Sequence, residues 1–114
     1  FELNKKLATL MKNQNYKSTI HEIHHTEKLD SPSGTALSLE EQINSILAIN
    51  TPITSNRIKE VLGTHSVTYN SSVDEINITH TATNRDGFAM GAIIAAEWII
   101  GRKGVFSMKD VLVQ

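Results

Sequence analysis

The fold is decided by residues 22–36, which read EIHHTEKLDSPSGTA. The residues just before and into this stretch, 16–23, alternate and include the β-branched Thr19 and Ile20, a pattern that predicts a strand. The cluster from Ser31 to Gly34 predicts a turn, because proline fixes φ and glycine relaxes it. From Thr35 to about residue 49, apolar residues recur at helical spacing. The stretch therefore joins a strand to a helix through a short loop.

The same signals predict the other elements. These are a helix over 1–11, a loop over 50–56, a short strand over 57–62, strands over 65–69 and 75–83 joined by a turn at 70–72, a helix over 88–100, and a last turn over 108–112 capped by Ser107. This order predicts an α+β fold with one mixed β-sheet of about four strands and helices packed on one face. The last strand has a polar face, either solvated or packed against another copy of the sheet: Asn77, Thr79, Thr81 and Thr83.

Composition limits the classes of function. The chain has 114 residues, enough for one domain, and its 12 acidic and 11 basic residues nearly cancel. We therefore expect no nucleic-acid partner and no anionic membrane partner. The apolar run at 88–100 contains Glu97 and is too short to span a bilayer. No signal peptide is visible, and the absence of cysteine fits a cytoplasmic protein. The first helix has no start signal, which predicts that the chain is cut from a longer one.

The loop and helix start after the first strand carry groups suited to an acidic ligand. Ser33, Gly34 and Thr35 open a helix, whose first N–H groups lack internal partners and favour a carboxylate or phosphate. Lys28 adds a mobile positive charge, and we expect Asp30 to hold the loop or the lysine in place.

The paired histidines of the stretch offer proton transfer near neutral pH. Neighbouring residues of a strand point to opposite sides, so His24 and His25 face one ligand only if the strand has ended. We therefore expect irregular backbone from His24 onward, and an exposed position for both His24 and Lys28. Taken one at a time, these are ordinary surface and turn residues; together, at a strand end before a helix, they predict a ligand site.

A metal site is the alternative for the histidines of this stretch. The candidate ligands are His21, Glu22, His24 and His25. An extended chain scatters them, and neither an H-E-x-x-H helix nor a pair of cysteines supports them. We therefore expect no metal.

Residues 22–36 also match a known motif at every fixed position: E-x-H-H-x-x-K-x-D-x-P-S-G-T-A. A second region, residues 80–98, and the ending at 104–112 agree with the same family. The chain thus resembles dihydrodipicolinate reductase, the 4-hydroxy-tetrahydrodipicolinate reductase family, over nearly its whole length and least between 49 and 62.

This resemblance implies a function. The family reduces a cyclic dicarboxylate of the diaminopimelate route to lysine with NADPH or NADH, and its C-terminal half binds substrate and forms a homotetramer through the sheet. By the motif, His24 is the proton donor or acceptor and Lys28 a proton donor. His25 would contact the substrate, and Gly34 with Thr35 would hold one of its carboxylates.

Several features depart from this pattern or stay outside the predicted site. The nucleotide-binding motif G-x-G-x-x-G is absent. We therefore expect the chain to be the substrate-binding half of a reductase without its Rossmann domain, and to be inactive by itself. Between the motif helix and the strand that contains His80, the chain is shorter than the family pattern, so we expect the loops that would cover the substrate to be trimmed. Four polar residues are left out of the site: His21, His65, His80 and Arg85. Trp98 is expected in the core.

The alternative functions for this chain are a stand-alone dicarboxylate-binding module and an oligomerisation module without catalysis.

Overall fold

The computed structural model describes residues 1–113, and these form two compact units. The first unit spans Phe1–Ala82, and the second begins at Thr83. The first contains α1 (Glu2–Met11), β1 (Lys17–His24), α2 (Gly34–Leu47), β2 (Ile53–Arg57), β3 (Gly63–Asn70) and β4 (Glu75–Ala82). The second contains α3 (Asp86–Trp98) and α4 (Met108–Leu112). No described helix is long and apolar enough to cross a membrane.

The four strands form one mixed sheet in the order β2-β1-β3-β4, which confirms the predicted α+β class. β1 runs parallel to β2 and antiparallel to β3, and β3 pairs antiparallel with β4. The prediction was wrong for β2, since residues 53–57 form the strand and not 57–62. Its alternation was hidden because its inward positions carry Ser55 and Arg57 in place of apolar residues.

One face of the sheet is covered by α1 and α2 and holds the core of this unit. Its buried members are Ala8, Ile20, Ala36, Leu39, Ile43, Val67 and Tyr69. Asn4 of α1 fixes the two helices to each other, because its side-chain amide donates to the backbone carbonyl of Leu39 at 3.1 Å and to Oε1 of Gln42 at 2.9 Å. Truncating a fully buried core side chain such as Ile43 to alanine costs about 2–5 kcal/mol.

The helix-covered face changes from apolar to polar along β1. Ile20 lies between Ile53 and Val67 in the sheet register, all three apolar. Two residues further along the strand, Glu22 lies between Ser55 and His65. Side chains at alternate positions of a strand share a face, so the polar row continues the core row. The sheet thereby places a polar cluster at the carboxyl end of β1.

The opposite face of the sheet is polar and hydroxyl-rich. Thr79 lies 2.9 Å from the hydroxyl of Ser66, and the amide of Asn77 donates to Thr68 at 2.7 Å. Thr81 accepts from Thr64 at 3.4 Å. We call the set Thr64, Ser66, Thr68, Asn77, Thr79 and Thr81 the outer face. Thr83, which the sequence placed on it, follows the end of β4.

The second unit confirms the predicted last turn. Ser107 precedes α4, and the carboxylate of Asp110 accepts from the backbone N–H of Ser107 at 2.7 Å and from its hydroxyl at 2.9 Å. α3 begins and ends two residues earlier than predicted. Within this unit, Trp98 packs edge-on against Phe106 with ring centroids 5.1 Å apart, and the Arg102 guanidinium stacks 4.0 Å from the Trp98 centroid.

Candidate functional site

The candidate site lies where β1 ends, where the 25–33 loop follows, and where α2 begins. β1 includes His24, so irregular backbone begins at His25, one residue later than expected. As the last residue of β1, His24 keeps the orientation of the helix-covered face. The expected exposure of His24 was wrong, because only 7% of the residue is accessible, whereas the Lys28 side chain is 26% exposed.

Glu22 lies at the centre of the polar cluster and is fully buried. One of its oxygens, Oε1, accepts from the backbone N–H of Ser33 at 2.9 Å and from the hydroxyl of Ser55 at 2.9 Å. The other, Oε2, accepts a short hydrogen bond from the Ser33 hydroxyl. The Arg57 guanidinium lies 3.6 Å from Oε1. Burial alone would raise the pKa of Glu22, but the hydrogen bonds from Ser33 and Ser55 outweigh it and hold the pKa below its usual range.

The imidazole of His24 packs beside this carboxylate. Its Nδ1 lies 3.6 Å from Oε2 of Glu22 and has no hydrogen-bond partner among the described residues. Burial lowers the pKa of His24, and the Glu22 carboxylate opposes that shift only in part. His24 is therefore a neutral imidazole near pH 7, able to accept a proton.

His65 reaches the same carboxylate from β3. Its Nε2 lies 3.6 Å from Oε2 of Glu22 and 3.3 Å from the Ser33 hydroxyl. Its ring meets that of His24 edge-on, with centroids 4.9 Å apart. Burial lowers the pKa of His65, and the neighbouring His24 lowers it further. Two imidazoles thus share one buried anion.

Lys28 lies on the loop and is paired as expected with Asp30, whose carboxylate oxygen is 3.2 Å from the Lys28 ammonium. The hydrogen bond from Lys28 lowers the pKa of Asp30. Arg57 secures the same loop, since its guanidinium donates to the backbone carbonyls of Lys28 and Asp30. The loop that carries Lys28 is therefore tied to the neighbouring strand β2 by the Arg57 side chain, while Asp30 pairs with the Lys28 ammonium.

Three residues at the start of α2 were predicted to bind the ligand, and the structure buries Ser33 while it leaves Gly34 and Thr35 exposed. Ser33 is the N-cap, and its hydroxyl accepts from the N–H of Ala36 at 3.1 Å while it donates to Glu22. Gly34 and Thr35 are exposed, and a Cβ at Gly34 would meet nothing within 4 Å. The first turn of α2 carries no acidic residue, so its partial positive charge is available to an anion. The Ser33 hydroxyl is already bonded to Glu22 and to the N–H of Ala36. Its direct contact with a ligand stays a prediction.

The residues that could hold a metal in the structure differ from the candidate ligands that the sequence suggested. His21 points away from the cluster, and its Nδ1 lies 2.6 Å from the Thr54 hydroxyl. Instead, Glu22, His24 and His65 bring one ligand atom each within 4.8 Å of one another. The fit is poor, because the Ser33 hydroxyl already occupies Oε2 of Glu22 and the Arg57 guanidinium already faces its carboxylate. We derive no metal chemistry from this cluster.

Four residues of this cluster were not predicted as part of the ligand site from the sequence: Glu22, which was considered only as a metal ligand, His65, which was left out, and Ser55 and Arg57. One signal was available, since Glu22 and His24 alternate with Ile20 and so share its inward face. The other three depend on the pairing register, which brings β2 and β3 to either side of β1.

Comparison with known proteins identifies the family. The family described as "Dihydrodipicolinate reductase, C-terminus" matches residues 1–112. The chain belongs to this family. A 4-hydroxy-tetrahydrodipicolinate reductase of Christiangramia forsetii is 51% identical over 98% of the chain and 52% of its own length. One from Aquifex aeolicus is 35% identical, over 98% of the chain and 49% of its own length.

The fold agrees with that of a dihydrodipicolinate reductase of known structure. The dipicolinate-bound enzyme from Paenisporosarcina sp. TG-14 matches with a TM-score of 0.76 at 21% identity, over 96% of the chain and 50% of its own length. The chain therefore spans about half the length of the dihydrodipicolinate reductases that it matches.

Proposed function

We propose that this chain is the substrate-binding and catalytic-residue domain of a 4-hydroxy-tetrahydrodipicolinate reductase. Such an enzyme reduces a cyclic dicarboxylate to tetrahydrodipicolinate with NADPH or NADH, in the diaminopimelate route of lysine biosynthesis in the cytoplasm. The observation that carries the proposal is the convergence of His24, Lys28 and the start of α2 at one end of β1, within a chain that belongs to this family.

The proposed roles follow from what each group can do. His24 is buried beside a carboxylate and exchanges the proton during reduction, while Lys28 supplies a second proton and positive charge. His25, partly exposed after the end of β1, contacts the substrate. The exposed N–H groups and hydroxyl of Gly34 and Thr35 hold one substrate carboxylate.

We assign Ser33 to the same carboxylate-binding segment in an indirect role. Its hydroxyl and N–H are bound to Glu22, and its hydroxyl also caps α2. Ser33 therefore aims the backbone of the two residues that follow it.

The nicotinamide requires a second domain in this proposal. Hydride transfer needs the nicotinamide ring within near-attack distance of the substrate carbon. The chain contains no G-x-G-x-x-G sequence, so we propose that a separate Rossmann domain binds the cofactor. The chain alone should bind dicarboxylate but oxidise neither NADPH nor NADH.

A titration with pyridine-2,6-dicarboxylate tests this function. The backbone N–H resonances of Gly34 and Thr35 should shift on addition of millimolar ligand, and binding should weaken as salt rises. Pyridine, which has the ring without the carboxylates, is the matched control ligand. Absence of a shift at Gly34 and Thr35 would contradict the carboxylate site. Oxidation of NADPH by the chain alone would contradict the division into two domains.

A further inference from the structure

The two oxygens of the Glu22 carboxylate have different surroundings. Oε1 accepts from the backbone N–H of Ser33, which can only donate, and from the hydroxyl of Ser55, both at 2.9 Å. Oε2 accepts from the Ser33 hydroxyl and faces two imidazole nitrogens, Nδ1 of His24 and Nε2 of His65, each at 3.6 Å. The carboxylate therefore connects the start of α2 to both histidines.

The position of His24 favours one of its two neutral tautomers. Its Nδ1 is buried and has no hydrogen-bond partner among the described residues. A lone pair on Nδ1 would face the negative charge of Glu22, whereas an N–H on Nδ1 would point its positive end toward that charge. Separations of this size often shorten to hydrogen-bond length when a ligand completes the site.

We propose that Glu22 is the positioning residue of this site: it keeps a proton on Nδ1 of His24, so that Nε2 is the atom that exchanges a proton with the ligand. The proton step balances on Nε2 alone. When His24 acts as a base, the Nε2 lone pair takes the proton and the imidazolium keeps its Nδ1–H toward Oε2; when it acts as an acid, Nε2 releases that proton. The identity of the ligand in this step depends on the proposed function, whereas the tautomer of His24 does not.

The same carboxylate couples proton transfer to ligand binding. Through the N–H and hydroxyl of Ser33, Glu22 sets where α2 begins, and Gly34 and Thr35 follow directly. One buried group thus fixes both the histidine and the backbone proposed to hold the carboxylate.

The substitution Glu22→Gln separates these contributions. The backbone N–H of Ser33 can only donate, so it would keep the glutamine carbonyl at the Oε1 position and put the NH₂ group at the Oε2 position, where the Ser33 hydroxyl would turn to accept from it. That NH₂ donates toward Nδ1 of His24, so the proton of the neutral ring should move to Nε2. Glu75→Gln is the matched control, because it makes the same chemical change at the exposed start of β4.

Nitrogen-15 NMR of the His24 ring in this chain reads the tautomer directly. We expect the proton on Nδ1 in the native chain and in Glu22→Gln a switch to Nε2, with Glu75→Gln like the native chain. The native measurement needs no variant and decides the inference even if Glu22→Gln fails to fold. A native ring protonated on Nε2, or the same tautomer in native and folded Glu22→Gln chains, would overturn it.

Kinetics of the reductase that joins this chain to its proposed nucleotide-binding domain provide the second readout. Glu22→Gln should lower kcat by about 10²-fold or more, as a wrong tautomer or a lost acid–base group does, with a smaller change in KM. An unchanged kcat would overturn the positioning role. If the native protein reduces no dicarboxylate, the proposed function fails, and the tautomer measurement still decides the inference.

Discussion

Gly63 lies directly against the ring of His24. A Cβ built on Gly63 would stand 3.3 Å from both Cδ2 and Nε2 of the imidazole, closer than most real Cβ contacts, so the ring would have to shift by a few tenths of an ångström. Glu22 and His65 also lie against the ring. Glycine at the start of β3 is therefore explained by the room that the His24 ring requires.

Replacing Gly63 by alanine should displace this ring. Overpacking in a confined site costs about 1–3 kcal/mol, so Gly63→Ala should lower the free energy of unfolding by about that amount and reduce turnover of the full reductase. Gly91→Ala is the control, since a Cβ there meets nothing within 4 Å and alanine favours the α3 interior. Urea unfolding of both variants measures the difference. Equal stability of the Gly63 variant and the native chain would show that the ring moves freely.

Lys28 offers a separate test of the proposed proton donors. Lys28→Met keeps most of the side-chain volume and removes the charge, so it should lower turnover of the full reductase by about 10²–10⁴-fold. Its pairing with Asp30 is partly exposed, and such pairs contribute about 0–1 kcal/mol, so stability should change little. The matched control is Lys59→Met, at an exposed position. Native-like turnover in Lys28→Met would remove Lys28 from the mechanism.

Gly34→Ala isolates the proposed carboxylate contact. A methyl group at Gly34 meets nothing in the free chain, so stability should be unchanged or slightly higher. The same methyl would occupy the approach of a carboxylate to the backbone, so the affinity for pyridine-2,6-dicarboxylate should fall by about 10-fold, or about 1.4 kcal/mol. Calorimetric titration measures the affinity and thermal unfolding the stability. Native affinity in this variant would place the carboxylate elsewhere.

The sequence predicted the strands and helices correctly where apolar residues recur at regular spacing, and it failed at β2, where polar residues take inward positions. β1, β3, β4 and both helices of the first unit lie close to their predicted bounds. β2 was misplaced because its inward residues, Ser55 and Arg57, serve the polar cluster.

The motif supplied His24 and Lys28, but spacing along the chain could not supply their neighbours. Glu22 was visible in the alternation of β1, while His65 reaches the cluster only through the antiparallel register, which places it opposite Glu22. Burial of His24 was missed for the same reason, because the residues that cover it lie on other strands.

Self-association through the outer face is the next prediction. Its hydroxyl and amide groups bond to one another across β3 and β4, and the family resemblance implies a homotetramer. Sedimentation at micromolar concentration should give a tetramer for the native chain and smaller species for Thr79→Lys, which puts a charge at the centre of this face. Ser45→Lys, on the exposed side of α2, is the control. A monomeric native chain would contradict the assembly.

Acid should destabilise the first unit from about pH 6.5 downward. Burial lowers the pKa of His24 and of His65, so the unfolded chain binds more protons than the folded chain as the pH falls below the ordinary histidine value of about 6.5. Lys28 acts in the same direction on both rings, and Glu22 opposes it only in part. The free energy of unfolding therefore falls as pH falls. The lowered pKa of Glu22 adds a further loss below about pH 4.5, where the unfolded carboxyl takes up its proton first.

Urea unfolding at pH 7.5, 6.5 and 5.5 measures this slope, which reaches at most about 1.4 kcal/mol per pH unit for each histidine that only the unfolded state protonates. His65→Gln removes one of the two rings and should reduce the slope. His21→Gln is the matched control on the other face of β1, and it should keep the native slope. Stability that rises toward pH 5.5, or a His65→Gln slope equal to that of the native chain, would contradict the burial of two neutral imidazoles around one carboxylate.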